Sequence, residues 1–178
     1  MDLSPLDAGV LGEADLVTGS ALLDLVSESW LRSLVATCRA TGAAVIFALT
    51  YDGRFECSPP DEDDGRVREL VNQHQRTDKG FGPALGASAS ERCARCLLEA
   101  GYRVRADPSD WRLGVEAGEL QRRLIDGWAV AAGAAAPDRF ATIASWRARR
   151  QAAVDRGESR IVVGHQDVAG WIEPSGSA

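Results

Sequence analysis

Ala43-Ala44-Val45-Ile46-Phe47-Ala48-Leu49-Thr50-Tyr51 is apolar almost throughout, opened by Gly42 and closed by Asp52-Gly53. A run of this length with no polar alternation is the pattern of a strand covered on both faces, as strands in parallel sheets are. Upstream, Ser27 is placed to cap a helix over 27–41, and Trp30, Leu31, Leu34, Val35 and Cys38 fall on one stripe of it. Gly42 is placed to end that helix. Further upstream, Ala14 to Leu25 reads ADLVTGSALLDL, an apolar run led by acid and broken by Thr18-Gly19-Ser20, which predicts a strand over 16–18.

Downstream the texture changes. Residues 54–86 are polar, charged and punctuated by Gly and Pro, with one helical piece beginning near Pro60 and carrying Val67, Leu70 and Val71 on one face. They read as an insertion, or lid, over a strand end. Ser88-Ala89-Ser90-Glu91 has the capping-box spacing and opens a helix that Gly101 should close, and Tyr102 to Ala106 makes a strand. Two helices, over 116–132 and 137–156, form a hairpin within an insertion spanning 115–157. Arg160 to Gly164 is the last strand, and residues 172–178 are a Gly/Ser/Pro tail expected to fray. Helix and strand alternate, so the fold class is α/β, in one domain over 1–171.

The chain has 178 residues, 45% apolar and 26% charged, enough for one sizeable core. Its formal charge of -6 argues against nucleic acid or an anionic membrane as partner, because both require a basic field. No apolar stretch is long enough to cross a bilayer, and Met1-Asp2-Leu3-Ser4-Pro5 is not a basic leader with an apolar core, so a cytoplasmic location is expected. Cys38, Cys57, Cys93 and Cys96 read as free thiols. Cys93-x-x-Cys96 has half-site spacing but no partner pair, so two small apolar residues on a helix face are expected there, and no metal.

His74 shares a helical stripe with Val67 and Leu70 and has two readings, a proton acceptor in a pocket or a hydrogen-bonded packing residue. His165 follows the last strand and has less to recommend it. Asp61-Glu62-Asp63-Asp64 fits a solvated first helical turn, where carboxylates complement the helix dipole, better than a metal site. Arg147, Arg149 and Arg150 suit the C-terminal part of a helix and are too few for a nucleic-acid patch. Trp111 and Trp128 are expected to pack the helical hairpin onto the sheet. Gly80-Phe81-Gly82-Pro83-Ala84-Leu85-Gly86 is a poor phosphate cradle: no strand precedes it, Pro83 lacks a donor, and Lys79 stands before the glycines.

Two motifs in this order carry a resemblance. Ala14-Asp15-Leu16-Val17-Thr18-Gly19-Ser20-Ala21-Leu22 is similar to the fourth strand of class I S-adenosylmethionine-dependent methyltransferases and the small residues that follow it. Ala100-Gly101-Tyr102-Arg103-Val104 resembles the turn into that family's sixth strand. The resemblance implies a partial Rossmann-like methyltransferase sheet of strands four to seven, the last antiparallel, with helical insertions. The glycine-rich turn and ribose carboxylate of the family's first two strands have no match here, so the chain alone is expected to be inactive. It further implies S-adenosyl-L-methionine as methyl donor, with Ser20, Ala21 and Leu22 lining its side and Asp2 matching the acid that contacts adenine. On the acceptor side it implies Asp78, Lys79, Gly80, Phe81 and Gly82, with His74 as the catalytic base. The acceptor would be a small molecule or a protein. Stripped of its strand-one neighbour, the strand over 16–18 becomes an open edge that invites a complementary half or self-association. Two rivals stand beside this reading: a non-catalytic partner of the same fold that binds another chain, and an unrelated α/β binding module.

Overall fold

The computed structural model describes residues 11–12 and 14–173, so the Asp2 expectation lies outside the described residues. The protein is mixed α/β, with five strands and five α-helices among the described residues. The strands are β1 (Leu16–Ser20), β2 (Ala44–Ser58), β3 (Arg103–Pro108), β4 (Trp111–Leu113) and β5 (Arg160–Trp171). The helices are α1 (Glu28–Thr41), α2 (Asp64–Gln75), α3 (Ala89–Glu99), α4 (Gly118–Ala135) and α5 (Phe140–Asp155). Two compact units share these elements. The first comprises the described residues up to Asp52, Arg76–Ser109 and those from His165 on; the second comprises Gly53–Gln75 and Asp110–Gly164.

In the first unit β1 pairs parallel to β2, with Leu16 opposite Ala44 and Thr18 opposite Ile46. The crossover between them is α1. Ser27 is extended and its Oγ accepts from Trp30 N at 3.3 Å, and Gly42 ends the helix at φ 76°. The expected stripe of Trp30, Leu31, Leu34, Val35 and Cys38 is buried. It packs with Val45 and Phe47 of β2 and with Cys93, Cys96 and Leu97 of α3 in one core. Strand pleating sends alternate residues to the other face, so Leu16 (49% exposed) and Ile46 (43% exposed) lie outside that core. β5 runs antiparallel to β3, from Arg103 opposite Trp171 to Pro108 opposite Gln166, and the strand order is β1-β2-β5-β3. Gly170 lies where a Cβ would meet Val45 Cγ2 at 3.0 Å, Leu97 Cδ1 at 3.2 Å and Tyr102 Cδ1 at 3.3 Å, which lets β5 seat against α3.

In the second unit β4 pairs antiparallel with β5, Trp111 opposite Val163 and Leu113 opposite Ile161. Here α4 packs against α2 and α5. Phe55 stacks on Trp128 with centroids 3.9 Å apart, and Gln121 Nε2 donates to Gly114 O at 2.6 Å and Ser159 O at 3.2 Å. The last two contacts tie the exit of β4 and the entry of β5 to α4.

Several expectations need correction. The strand expected to stop at Tyr51 continues to Ser58, so residues 54–58 extend β2 rather than beginning an insertion. The last strand runs to Trp171 instead of ending at Gly164, because the whole of β3 lies alongside its second half. Asp110-Trp111-Arg112 enters a strand, and Trp111 is exposed while Trp128 is buried. Ser88 does not cap α3: its hydroxyl donates to Leu85 O at 2.8 Å. Leu120 and Phe140 are exposed on the hairpin helices, and Trp146 and Arg150 occupy the buried face of α5 beside Ile143. A guanidinium takes that place because acidic side chains meet it there. Arg150 Nη1 donates to Pro59 O at 2.6 Å and Nη2 to Asp64 Oδ2 at 3.1 Å, while Asp64 Oδ1 accepts from Trp146 Nε1 at 2.8 Å. Arg149 binds both oxygens of Asp61, at 2.6 and 2.8 Å, and Asp63 at 2.7 Å. The acidic run is therefore paired to α5 rather than solvated.

Candidate functional site

The C-terminal end of β1, in the first unit, gathers the features that distinguish a site from a core. Ligands of open α/β sheets bind beyond the carboxyl ends of the strands, where loops are free of the ladder. Ser20 ends β1, and the next residue, Ala21, takes a left-handed conformation at φ 50° while its N–H donates to Ala48 O at 3.0 Å. Leu49, beside that acceptor, is left-handed as well, at φ 53°. Neither residue is glycine, and such backbone costs about 1–3 kcal/mol each and persists where surroundings over-determine it. At Leu49 the determinant is Asp167, whose Oδ1 accepts from Leu49 N at 2.8 Å and from Ser109 Oγ at 2.6 Å.

Beyond Leu22 the chain turns through a short 3-10 segment that buries Asp24. Burial pushes the Asp24 carboxyl above its ordinary range, opposed by a backbone hydrogen bond and by the field of His165. His165 is buried on β5, with Tyr51 edge-on to it at 6.4 Å between centroids. Thr50 is fully buried and its hydroxyl has no hydrogen-bond partner. A buried hydroxyl left without a partner is an arrangement a packed core avoids. Such a hydroxyl has capacity left for one polar group.

The segment expected to cover the acceptor is ordered by its own residues. Asp78 Oδ1 accepts from Gly80 N at 2.7 Å and Gly82 N at 3.0 Å, and Asp78 bridges to Pro83. Phe81 meets Trp30 edge-on at 5.6 Å, and Gly82, at φ 85°, sits where a Cβ would stand 3.4 Å from Ser27 Cβ. Lys79 Nζ donates to Thr77 Oγ1 at 2.9 Å. The first unit thus carries Ser20, Ala21 and Leu22 and the stretch Asp78 to Gly82, the latter packed on the first turn of α1. His74 is in the last turn of α2, in the second unit, half-buried.

No known family model and no curated protein sequence matches the chain. Ser20 and Ala21 are exposed and small, which leaves room at the strand end for a flat or extended ligand. Among the described residues no glycine-rich turn after a strand stands beside them. Among those residues no group of three or more His, Cys, Asp or Glu side chains could hold a metal ion, and no helix is long and apolar enough to cross a membrane. The four cysteines are free, and burial pushes the Cys93 thiol up to about 12. Sequence reading missed Asp24, Thr50 and Asp167. A carboxylate embedded in Leu22-Leu23-Asp24-Leu25-Val26, just past a strand, was the available signal, since an acid inside an apolar run is expensive unless it serves a purpose.

Proposed function

We propose that this chain forms the strand-four-to-seven part of a class I methyltransferase-type domain, with the methyl donor approaching Ser20, Ala21 and Leu22. The observation that carries the reading is the pairing pattern. The two strands matched to four and five are parallel with a helix between them, and the two matched to six and seven are antiparallel. S-adenosyl-L-methionine would supply an electrophilic methyl group when bound. The chain's own part is to orient and enclose: Ser20 and Ala21 present backbone at the strand end, and Asp78 holds the Gly80–Gly82 turn in place. Within the first unit the imidazole is that of His165, which joins His74 as a second candidate for the base that takes an acceptor's proton. Alone, the chain is expected to bind the donor weakly, because backbone close approach through a glycine-rich turn supplies the main anchor in such folds.

Titration with S-adenosylhomocysteine, followed by backbone amide resonances, tests this. At millimolar ligand the shifts should concentrate at Ser20, Ala21 and Leu22, while calorimetry detects no one-to-one binding in the low micromolar range. Shifts centred elsewhere sink the proposal. The exposed Leu16 and Ile46 favour a second reading, a non-catalytic partner that lends its sheet edge to another chain, and a complete absence of shifts selects it.

A further inference from the structure

The α4–α5 hairpin of the second unit carries an outward-facing apolar groove of about 610 Å³. Its walls include Val130 and Phe140, which are 74% and 73% exposed although nothing in an exposed helix requires large apolar side chains. At Gly133 a Cβ would meet no atom within 4 Å, so the space there is not needed for packing within the chain. One end of the groove is closed by a single ion pair, Arg147 Nε to Asp126 Oδ1 at 2.6 Å, with Gln151 Nε2 also on Asp126 at 2.8 Å.

We infer that this groove is the interface of a homodimer, in which two hairpins meet face to face as a four-helix bundle. The face is self-complementary. Within the hairpin Phe140 and Gly133 lie near the turn and Asp126 and Arg147 at the opposite end of the groove. A two-fold axis along the hairpin lays α4 of one copy over α5 of the other. It sets Phe140 of each copy over Gly133 of its mate, a large side chain against a position with none. The same operation sets Asp126 over Arg147 of the second copy, so four charges alternate in sign at the rim. The face itself is charge-balanced, with one acid and one base, so it adds nothing to the repulsion that the net charge of -6 sets between copies. Small side chains at the crossing let helices approach closely, as bundle packing requires.

Sedimentation equilibrium on the full chain at about 100 μM, far above the dissociation constants of ordinary specific dimers, should show a dimer. Gly133→Leu fills the receiving space without touching the chain's own core, and Phe140→Asp removes the knob. Each should raise the dimer dissociation constant about thirtyfold or more, the loss typical of a central interface residue. Their circular dichroism should stay that of the wild type, and Gly133→Ala, which favours the helix, provides a check if Leu perturbs it. Leu16→Lys, on the β1 edge, should leave the dimer intact. In a mixed sample of differently labelled copies, isotope-filtered spectra should connect the Phe140 ring with Gly133 Hα across the interface. A wild-type monomer at that concentration overturns the inference. So does a dimer indifferent to Gly133→Leu and Phe140→Asp, or one abolished by Leu16→Lys. A monomer that binds the dye anilinonaphthalene sulfonate and loses it on Phe140→Asp would make the groove a small-molecule site instead.

Discussion

Replacing Arg150 by methionine tests whether the second unit depends on its buried ion pair. Arg150 is 3% exposed, and its two forked contacts hold Pro59 O and Asp64 Oδ2, while its Nε is buried without a partner. Breaking a buried pair by removing one member costs about 3–5 kcal/mol. Removing a donor that is already unsatisfied offsets about 1–3 kcal/mol of that. Asp64 keeps two other donors, Trp146 Nε1 at 2.8 Å and Asp61 N at 2.9 Å, which limits the damage. A net loss of about 2 kcal/mol follows from these terms. With a urea slope of about 1–3 kcal/mol per molar, the midpoint should fall by about 0.7–2 M. Tryptophan fluorescence is the natural probe because Trp146 is bonded to the same carboxylate. Arg149 is the control: its ion pairs with Asp61 and Asp63 are tighter in distance, but its side chain is 44% exposed, so Arg149→Met should cost under about 1 kcal/mol. If the two substitutions cost the same, or Arg150→Met is neutral, burial is not what gives this network its weight.

Asp24 sets a pH dependence of definite sign. Its carboxyl is held above the ordinary range chiefly by burial, so the folded state binds that proton more tightly than the unfolded chain. The associated stability is complete below the ordinary carboxylate pKa and is lost as pH rises through the folded value. Asp24→Asn should therefore be more stable than wild type at neutral pH, with the difference vanishing in acid, and parallel urea midpoints across that range would contradict it. Asp61 behaves oppositely: the Arg149 hydrogen bond lowers its pKa, so its contribution is present above the ordinary value and lost as pH falls through the folded one. Gly170→Ala should destabilise by about 1–3 kcal/mol through overpacking against Val45, Leu97 and Tyr102, and an unchanged midpoint would show that β5 has room to move.

The helices and the parallel strand pair were legible in the sequence because their signals are local. Ser27 and Gly42 mark both ends of α1 through groups within one turn of each end, and the buried stripe between them follows from a period of 3.6 residues. The apolar run from Ala43 marked β2, and Thr18-Gly19-Ser20 marked the end of β1, because backbone at a strand terminus must leave the ladder. What the sequence could not determine depends on partners distant along the chain. The second halves of β2 and β5 are polar enough to read as loops, and their strand character comes from pairing. β5 is matched residue for residue from Gln166 to Trp171 by β3, which lies far upstream at Arg103–Pro108. Arg150 suits the C-terminal part of a helix by sequence, whereas its burial depends on Asp64, far upstream. The field of His165 reaches Asp24 although most of the chain separates the two in sequence. A local pattern reports the conformation a segment prefers by itself, whereas burial of a charge or an imidazole is decided by which distant group arrives to receive it.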